Sequence, residues 1–539
     1  MTREPPQNNS EDFELEDPGV GQTAVIGVHV DHAAPGQPIC DEKGVIKSGR
    51  LKGLGMWAAI WVVSWPVLFE SLLNATVGLV DTTLAASLSE AATDAIGVAA
   101  YFGWLLALVG MALGIGTGAM VSRSIGKGRV AVANATLGQT TILAGTLGVI
   151  VGFWIYWAAP GIASWMNLED EAVAYAVNYL HVLAFSVPAL TLLLSWIAAC
   201  RGAGDSFTPL WVMAFVNVIN IVVSVLLCGA DLATTRMTDA GEIERHVFFV
   251  NPSPVDLGTT GIAIGTLCAY VVGALIMGVV LSRGVHGLRF KRRRLAPNWR
   301  TMKRLVRVAV PNAIETFGMW FGNFLTFSMI GWMATPGFIG AHVVAVRIEA
   351  FSFLPGFAMS TAAATLAGQY LGAKAPHLAR LAIIRCTLIS VLIMGLFGVL
   401  FTTAPEFVVG LLSQQPAHLE LTPPLLVVCG VIQVFFATAI TIRGALRGAG
   451  DTTVVMALTW ISTYAIRLPL AWLFCGVDIP LPESLGGGHI INPDPLREWL
   501  GLDIHPLTGF WLGLCAELVL RALLFVGRFL GSGWTRVKV

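Results

Sequence analysis

Twelve stretches of mostly apolar residues, each long enough to cross a bilayer, follow one another along this chain. They run at roughly 55–80, 95–121, 132–158, 173–199, 207–229, 259–282, 305–332, 340–370, 381–404, 422–443, 453–476 and 506–529. A spanning helix needs about 20 such residues, and in hydrocarbon each backbone N–H and C=O has to find its partner inside the helix. The pattern predicts an all-α integral membrane protein with twelve transmembrane helices. Composition agrees: 55% of the 539 residues are hydrophobic and 12% are charged, too little charge to cover a soluble surface. Zero net charge gives no ground for a nucleic-acid partner. The eight cysteines stand singly, without zinc or CxxC spacing, and read as small packing residues.

The chain is also a diverged duplication. Arg-Gly-Ala-Gly-Asp occurs at 201–205 and again at 447–451, an offset of 246. Pro66 and Glu70 return as Pro311 and Glu315, and Gly126 returns as Gly372. Six helices per repeat bring each half back to its starting side. Two homologous six-helix bundles are therefore expected, related by an axis along the membrane normal, with a central cavity where they meet.

The expected units are a disordered tail over 1–50, an N-terminal bundle over 51–282, a basic linker over 283–304, a C-terminal bundle over 305–530, and a tail over 531–539. Loop charge gives direction. One set of loops carries Arg123, Lys127, Arg129, Arg201, Lys374, Arg380, Arg443 and Arg447, with a dense block from Arg283 to Arg304; the alternate loops are acidic at Glu90, Asp94 and 169–171. Basic loops stay inside, so both termini are expected in the cytoplasm, with the linker against anionic lipid headgroups. The Arg-Gly-Ala-Gly-Asp copies then fall in cytoplasmic turns. Their arginines complement helix C-termini, their glycines permit left-handed backbone, and Asp205 and Asp451 cap the following helices.

Within the spans, Trp-Pro-Val-Leu-Phe-Glu at 65–70 leads to Gly-Leu-Val-Asp-Thr-Thr at 78–83. Val-Ser-Arg-Ser-Ile-Gly-Lys-Gly follows at 121–128, and Phe-Val-Asn-Val-Ile-Asn at 215–220. The second half has Arg-Ile-Glu-Ala-Phe-Ser-Phe-Leu-Pro-Gly at 347–356 and Leu-Ala-Gly-Gln-Tyr-Leu-Gly-Ala at 366–373. In order and spacing these pieces resemble the multidrug and toxic compound extrusion (MATE) transporters over about 55–530. The resemblance implies an antiporter of the cell (inner or plasma) membrane. It would export cationic or amphipathic small molecules in exchange for H⁺ or Na⁺ by alternating access, as a monomer and without a cofactor.

Acids inside a membrane helix are costly and ask for a reason. Five lie in the expected spans or at their ends: Glu70, Asp81, Glu315, Glu349 and Glu517. Glu517 has Arg521 four residues on, the spacing of a helical ion pair. Arg347 and Glu349 lean towards structural roles, and Arg467 has no acid near it in sequence. For Asp81, spacing alone leaves a coupling acid and an outer-end cap equally open; the resemblance implies the coupling acid. It also implies that Asn220, Ser224 and Thr266 stand with Asp81 as oxygen ligands. Only one carboxylate is in that set, which favours H⁺ over a transient Na⁺. Glu70 and Glu315, each a turn beyond a helix-kinking proline, are candidates for attracting a cationic substrate. Met319, Trp320 and Phe321 suit a cationic, lipophilic ligand.

A lipid-linked-saccharide flippase is the nearest rival, but it would want a positively charged cavity, and intramembrane Arg and Lys are scarce. An intramembrane enzyme would need a nucleophile with a base, or metal ligands, on facing helices. The scattered histidines offer neither, and no phosphate-binding glycine loop with Lys-Ser or Lys-Thr is present.

Overall fold

The computed structural model describes residues 41, 44–46, 50–165, 170–237, 243–480, 488–493, 501 and 505–537. The sequence tail over 1–40 lies outside the described residues. Twelve long helices carry the fold. The first half holds α1 (Met56–Leu88), α2 (Glu90–Gly126), α3 (Val130–Trp165), α4 (Asp170–Gly202), α5 (Phe207–Cys228) and α6 (Gly258–Arg283). The second holds α7 (Trp299–Trp332), α8 (Phe338–Gly372), α9 (Pro376–Thr403), α10 (Pro416–Gly448), α11 (Thr452–Cys475) and α12 (Pro506–Leu530). A short helix, Pro405–Leu412, precedes α10. Eleven of the twelve are long and apolar enough to cross a bilayer by length and composition. The twelfth is α7, the repeat partner of α1, whose 34 residues include buried Asn312 and Glu315.

The structure sharpens the duplication. Between α5 and α6 a hairpin pairs Leu232–Met237 with Ile243–Phe249, and between α11 and α12 a shorter one pairs Ile479–Pro480 with His489–Ile490. Both are pinned by the same device. Asn251 N–H donates to Asp231 Oδ1 at 2.7 Å while its side chain donates to the Val225 carbonyl. Asn492 N–H donates to Asp478 Oδ1 at 2.7 Å while its side chain donates to the Trp472 carbonyl.

The repeated pentapeptide does more than turn the chain. Its second glycine is the left-handed one, with φ of +87° at Gly204 and +85° at Gly450. Its first glycine is a close-approach residue. A Cβ on Gly202 would lie 2.7 Å from the Gly118 carbonyl oxygen of α2, and one on Gly448 would lie 2.3 Å from that of Ala364 on α8. Both arginines turn back to the helices that carry Pro66 and Pro311: Arg201 pairs with Glu70 at 2.6 Å and Arg447 with Glu315 at 2.8 Å. Asp205 caps α5 as expected, accepting from Phe207 N–H and Thr208 N–H. Asp451 does not cap α11; its carboxylate takes Arg528 Nε at 2.8 Å instead. Gly448→Ala should cost roughly 1–3 kcal/mol or more through overlap with the α8 backbone. Gly78→Ala, which meets open space, should be near neutral. Thermal melting of the two purified variants compares them.

The halves are joined at the end that carries these turns. Thr365 and Gln369 of α8 donate to the carbonyls of Arg201 and Gly202, and Arg123 of α2 donates to the Ala449 carbonyl at 2.9 Å. One apolar cluster spans both halves here, packing Leu51, Met56 and Ile60 against Met359, Leu366 and Phe525. Ile46 belongs to it too, at 2% exposure, so the packed unit begins before residue 51. Trp534 is buried in the same cluster, which draws part of the C-terminal tail into the core. The linker is likewise fixed: Gln139 of α3 donates to the carbonyls of Arg294 and Ala296 and accepts from Asn298 N–H. At the opposite end the apolar clusters are separate, one built from residues 84–263 and the other from residues 329–518. The two halves share one apolar cluster at the basic end and keep separate clusters at the other.

Candidate functional site

Two places in this frame gather polar groups. The first lies in the N-terminal half, among α1, α5 and α6. Helix α1 continues about two turns beyond Asp81 before Ser89 starts α2, so Asp81 is inside a helix and not at its outer end. The Asp81 Oδ1 atom is buried and receives no hydrogen bond from the described residues. Asn220 of α5 donates through Nδ2 to Thr266 Oγ1 of α6 at 3.1 Å, and its Oδ1 is likewise buried without a donor. Helices α5 and α6 come this close because Gly265 has no Cβ: one there would lie 2.1 Å from Ser224 Oγ. Ser224 sits one turn past Asn220 and donates to the Ile262 carbonyl at 3.4 Å. Asn217 and Asn74 add a further link between α5 and α1 at 3.1 Å.

Two residues of this region were not legible beforehand. Tyr179 of α4 is buried in the apolar cluster of the first half, and Tyr270 of α6 packs against the neighbouring cluster. The chain has only seven tyrosines, so two phenols in mid-span were a usable signal.

Duplication supplies a control for this region. The hairpin staples put Asp231 against Asp478 and Val225 against Trp472, an offset of 247, and by that offset Asn220 corresponds to Arg467. Asp81 corresponds to Thr326 by the 245 offset of Pro66 and Pro311. Thr326 Oγ1 donates to the Gly322 carbonyl at 2.6 Å, within its own helix. Arg467 is held by Glu517, at 3.1 Å from Nε and 3.0 Å from Nη2, and by Asn323 Oδ1 at 2.9 Å. Arg467 thus has its acid 50 residues away on α12. The expected Glu517–Arg521 pair is formed as well, at 2.6 Å. A π-helical stretch, Ile461–Arg467, interrupts α11 just before the guanidinium, a distortion frequent at functional positions.

The second place is a cavity of about 890 Å³. It is walled by α7, α8, α10, α11 and α12, with Tyr101, Phe102 and Trp104 of α2 reaching in from the other half. Met319, Trp320 and Phe321 all line it. The Trp320 ring stacks between neighbours, with centroids 5.9 Å from Phe317, 6.4 Å from Phe324 and 5.1 Å from Tyr101. Its Nε1–H is buried without an acceptor. Glu349, Arg443, Arg467 and Arg521 supply the cavity's charge. Arg347 is exposed on α8, away from this wall.

Glu70 and Glu315, the candidates for substrate attraction, line no part of this cavity. Each is buried and committed to an arginine, and Glu315 also accepts from Thr459 Oγ1 at 2.9 Å. Asn220, Ser224 and Thr266 lie where α5 meets α6, Asp81 is on the neighbouring α1, and none of the four lines the aromatic cavity. Among the described residues no group of three or more His, Cys, Asp or Glu is placed to hold a metal ion.

A duplicated bundle of membrane-length helices, with an aromatic cavity in its second half that α2 of the first half completes, defines a membrane transporter. The MatE family pattern matches residues 66–226 and 311–473, one match in each half and more than half of the chain, and this chain belongs to that family. Members are transporters and not enzymes. The probable multidrug resistance protein NorM of Thermotoga maritima is 26% identical over 476 residues, covering 88% of this chain and 92% of that protein. The multidrug resistance protein MdtK of Pectobacterium atrosepticum is 22% identical, over 86% of this chain and 93% of that one. Among solved structures, an outward-facing multidrug resistance MATE family transporter of the MOP superfamily shares the fold at a TM-score of 0.73 and 19% identity, covering 90% of this chain and 97% of the other. A MOP superfamily transporter from Pyrococcus furiosus is similar at 0.72 and 19%, covering 89% and 97%.

Proposed function

We propose that this protein is a secondary antiporter that exports amphipathic small molecules from the cavity and takes its driving force from a cation bound at Asp81. The observation that carries the reading is the pair of buried acceptors without donors, Asp81 Oδ1 and Asn220 Oδ1. Buried oxygens without partners are rare and costly, and an arriving cation is what satisfies them. In the other half the equivalent positions are already satisfied, by a helix carbonyl at Thr326 and by a fixed guanidinium at Arg467. Coupling is therefore concentrated in the first half. With a single carboxylate to offset charge, the set suits H⁺ better than Na⁺. NorM and MdtK, named as multidrug resistance proteins, support export of small organic compounds. The cavity charges do not favour the cationic part of the sequence expectation. Glu70 and Glu315 are better read as braces that tie α1 and α7 to the pentapeptide turns.

The test is export from proteoliposomes with the Na⁺ and pH gradients imposed one at a time. Export driven by the pH gradient alone is expected, and export that ignores both gradients would end the antiporter reading. Sidedness rests on the basic loops: the linker and both termini belong in the cytoplasm, so the end at which the two halves share one core faces inward. A cysteine introduced at Lys291 is expected to label from the cytoplasmic side alone in intact and opened cells, and external labelling would reverse the assignment.

A further inference from the structure

The charges around the cavity do not cancel. Glu517 stands behind the wall and is shared by Arg467 and Arg521, which leaves that trio with one surplus positive charge. Arg447, one turn from Arg443 on α10, is matched by Glu315. Among the described residues Arg443 is matched by no carboxylate. Its hydrogen bond is to the Met319 sulfur at 3.0 Å. Glu349 is the one acid that lines the cavity, and among the described residues it makes no ion pair. The cavity is positive whichever protonation state Glu349 takes.

A guanidinium cannot shed its charge in a protein, and a thioether is a weak acceptor. Placing one in the membrane interior is expensive unless something repays it. Structural necessity does not explain Arg443. The charges that hold the scaffold recur in both halves, as Glu70 with Arg201 and Glu315 with Arg447. By the 246 offset of the pentapeptide, Arg443 corresponds to Ile197, a buried core residue. It is an acquisition of the half that carries the cavity.

We propose that Arg443 is the anion-recognising residue of this cavity, and that the transported molecules carry an acidic group on an aromatic body. The guanidinium fork is shaped to take two oxygens of a carboxylate, sulfonate or phosphate. The stacked face formed by Trp320, Phe324 and Tyr101 takes the rings. This inference rests on the reading of the cavity as the transport site and narrows its substrates to organic anions and zwitterions.

The test uses the full-length protein in nanodiscs of uncharged lipid and three probes with one ring system: anthracene carboxylate, its carboxamide and the anthracene methylammonium. Binding is measured by titration calorimetry against protein-free discs. The carboxylate is expected to bind about tenfold or more tighter than the carboxamide, the advantage of a charge-assisted pair. Arg443→Met should abolish that advantage, so that carboxylate and carboxamide bind alike, whereas Arg443→Lys should keep part of it. Equal binding of the carboxylate and carboxamide by the unaltered protein would overturn the proposal, as would tightest binding of the ammonium or a preference that survives Arg443→Met. In those cases the cavity still stands as a solute site. Binding of none of the three would remove the cavity as a solute site and both readings with it.

Discussion

Asp81→Asn is expected to reduce gradient-driven export by roughly 100-fold, to the level of leak, while the protein still inserts and folds. The substitution keeps size and polarity, and Asp81 makes no hydrogen bond through Oδ1 that folding depends on. What it removes is the ability to change charge. An ion that swings a two-state transporter from about 1:99 to 99:1 has to favour one state by ~5.5 kcal/mol, and an amide that cannot gain or lose a charge supplies no such difference. Thr326→Val tests the asymmetry between halves. Thr326 Oγ1 serves a carbonyl of its own helix, so its loss should cost only about 0.5–1.5 kcal/mol of stability and little transport. The measurement is initial export rate from proteoliposomes under each gradient separately. Near wild-type export by Asp81→Asn would show that the ion binds elsewhere. Equal losses in the two variants would show that the halves are not specialised.

Much of this architecture was legible in the sequence because the bilayer allows so few alternatives. Helix number, the duplication and the position of the polar breaks follow from apolar length and a recurring pentapeptide. The ends were harder. Asp81, Thr82 and Thr83 read as the polar margin of a helix closing near residue 80, yet α1 runs on to Leu88. Thr82 and Thr83 satisfy their hydroxyls on the Gly78 and Leu79 carbonyls one turn back, which lets polar residues continue a helix in an apolar setting. Met319, Trp320 and Phe321 were legible as cavity residues in a way that Tyr101 and Trp104 were not. The latter come from the other half, and no local pattern says which face of α2 meets α7. The pairs were missed for a related reason. Glu70 and Arg201 lie 131 residues apart, and Glu315 and Arg447 lie 132 apart. A usable signal did exist: glutamate and arginine both survived duplication at almost the same separation, as expected of partners and not of independent sites.

That joint survival leads to the largest expected stability effect. Glu315 is fully buried, takes Arg447 at 2.8 Å and 3.0 Å, and takes Thr459 through its other oxygen. Neutralising it by Glu315→Gln leaves a buried guanidinium without its counter-charge, and removing one partner of such a pair typically costs about 3–5 kcal/mol. The purified variant should melt well below the parent in detergent. The cost lies in the stranded charge, so the double variant Glu315→Gln with Arg447→Met should recover most of the loss, a coupling that a double-mutant cycle with the two single variants reads directly. Glu70→Gln should follow the same course with a smaller amplitude, because its pair with Arg201 keeps some exposure, 7% and 17% for the two side chains. The alternative role, attraction of a cationic substrate, predicts something different. Glu315→Gln would then weaken binding of cations with little change in melting temperature, and adding Arg447→Met would make matters worse. A stable Glu315→Gln variant that binds cations poorly would return these two acids to the transport path. Melting that falls with the single change and recovers with the double would confirm Glu315 as a brace that ties α7 to the pentapeptide turn.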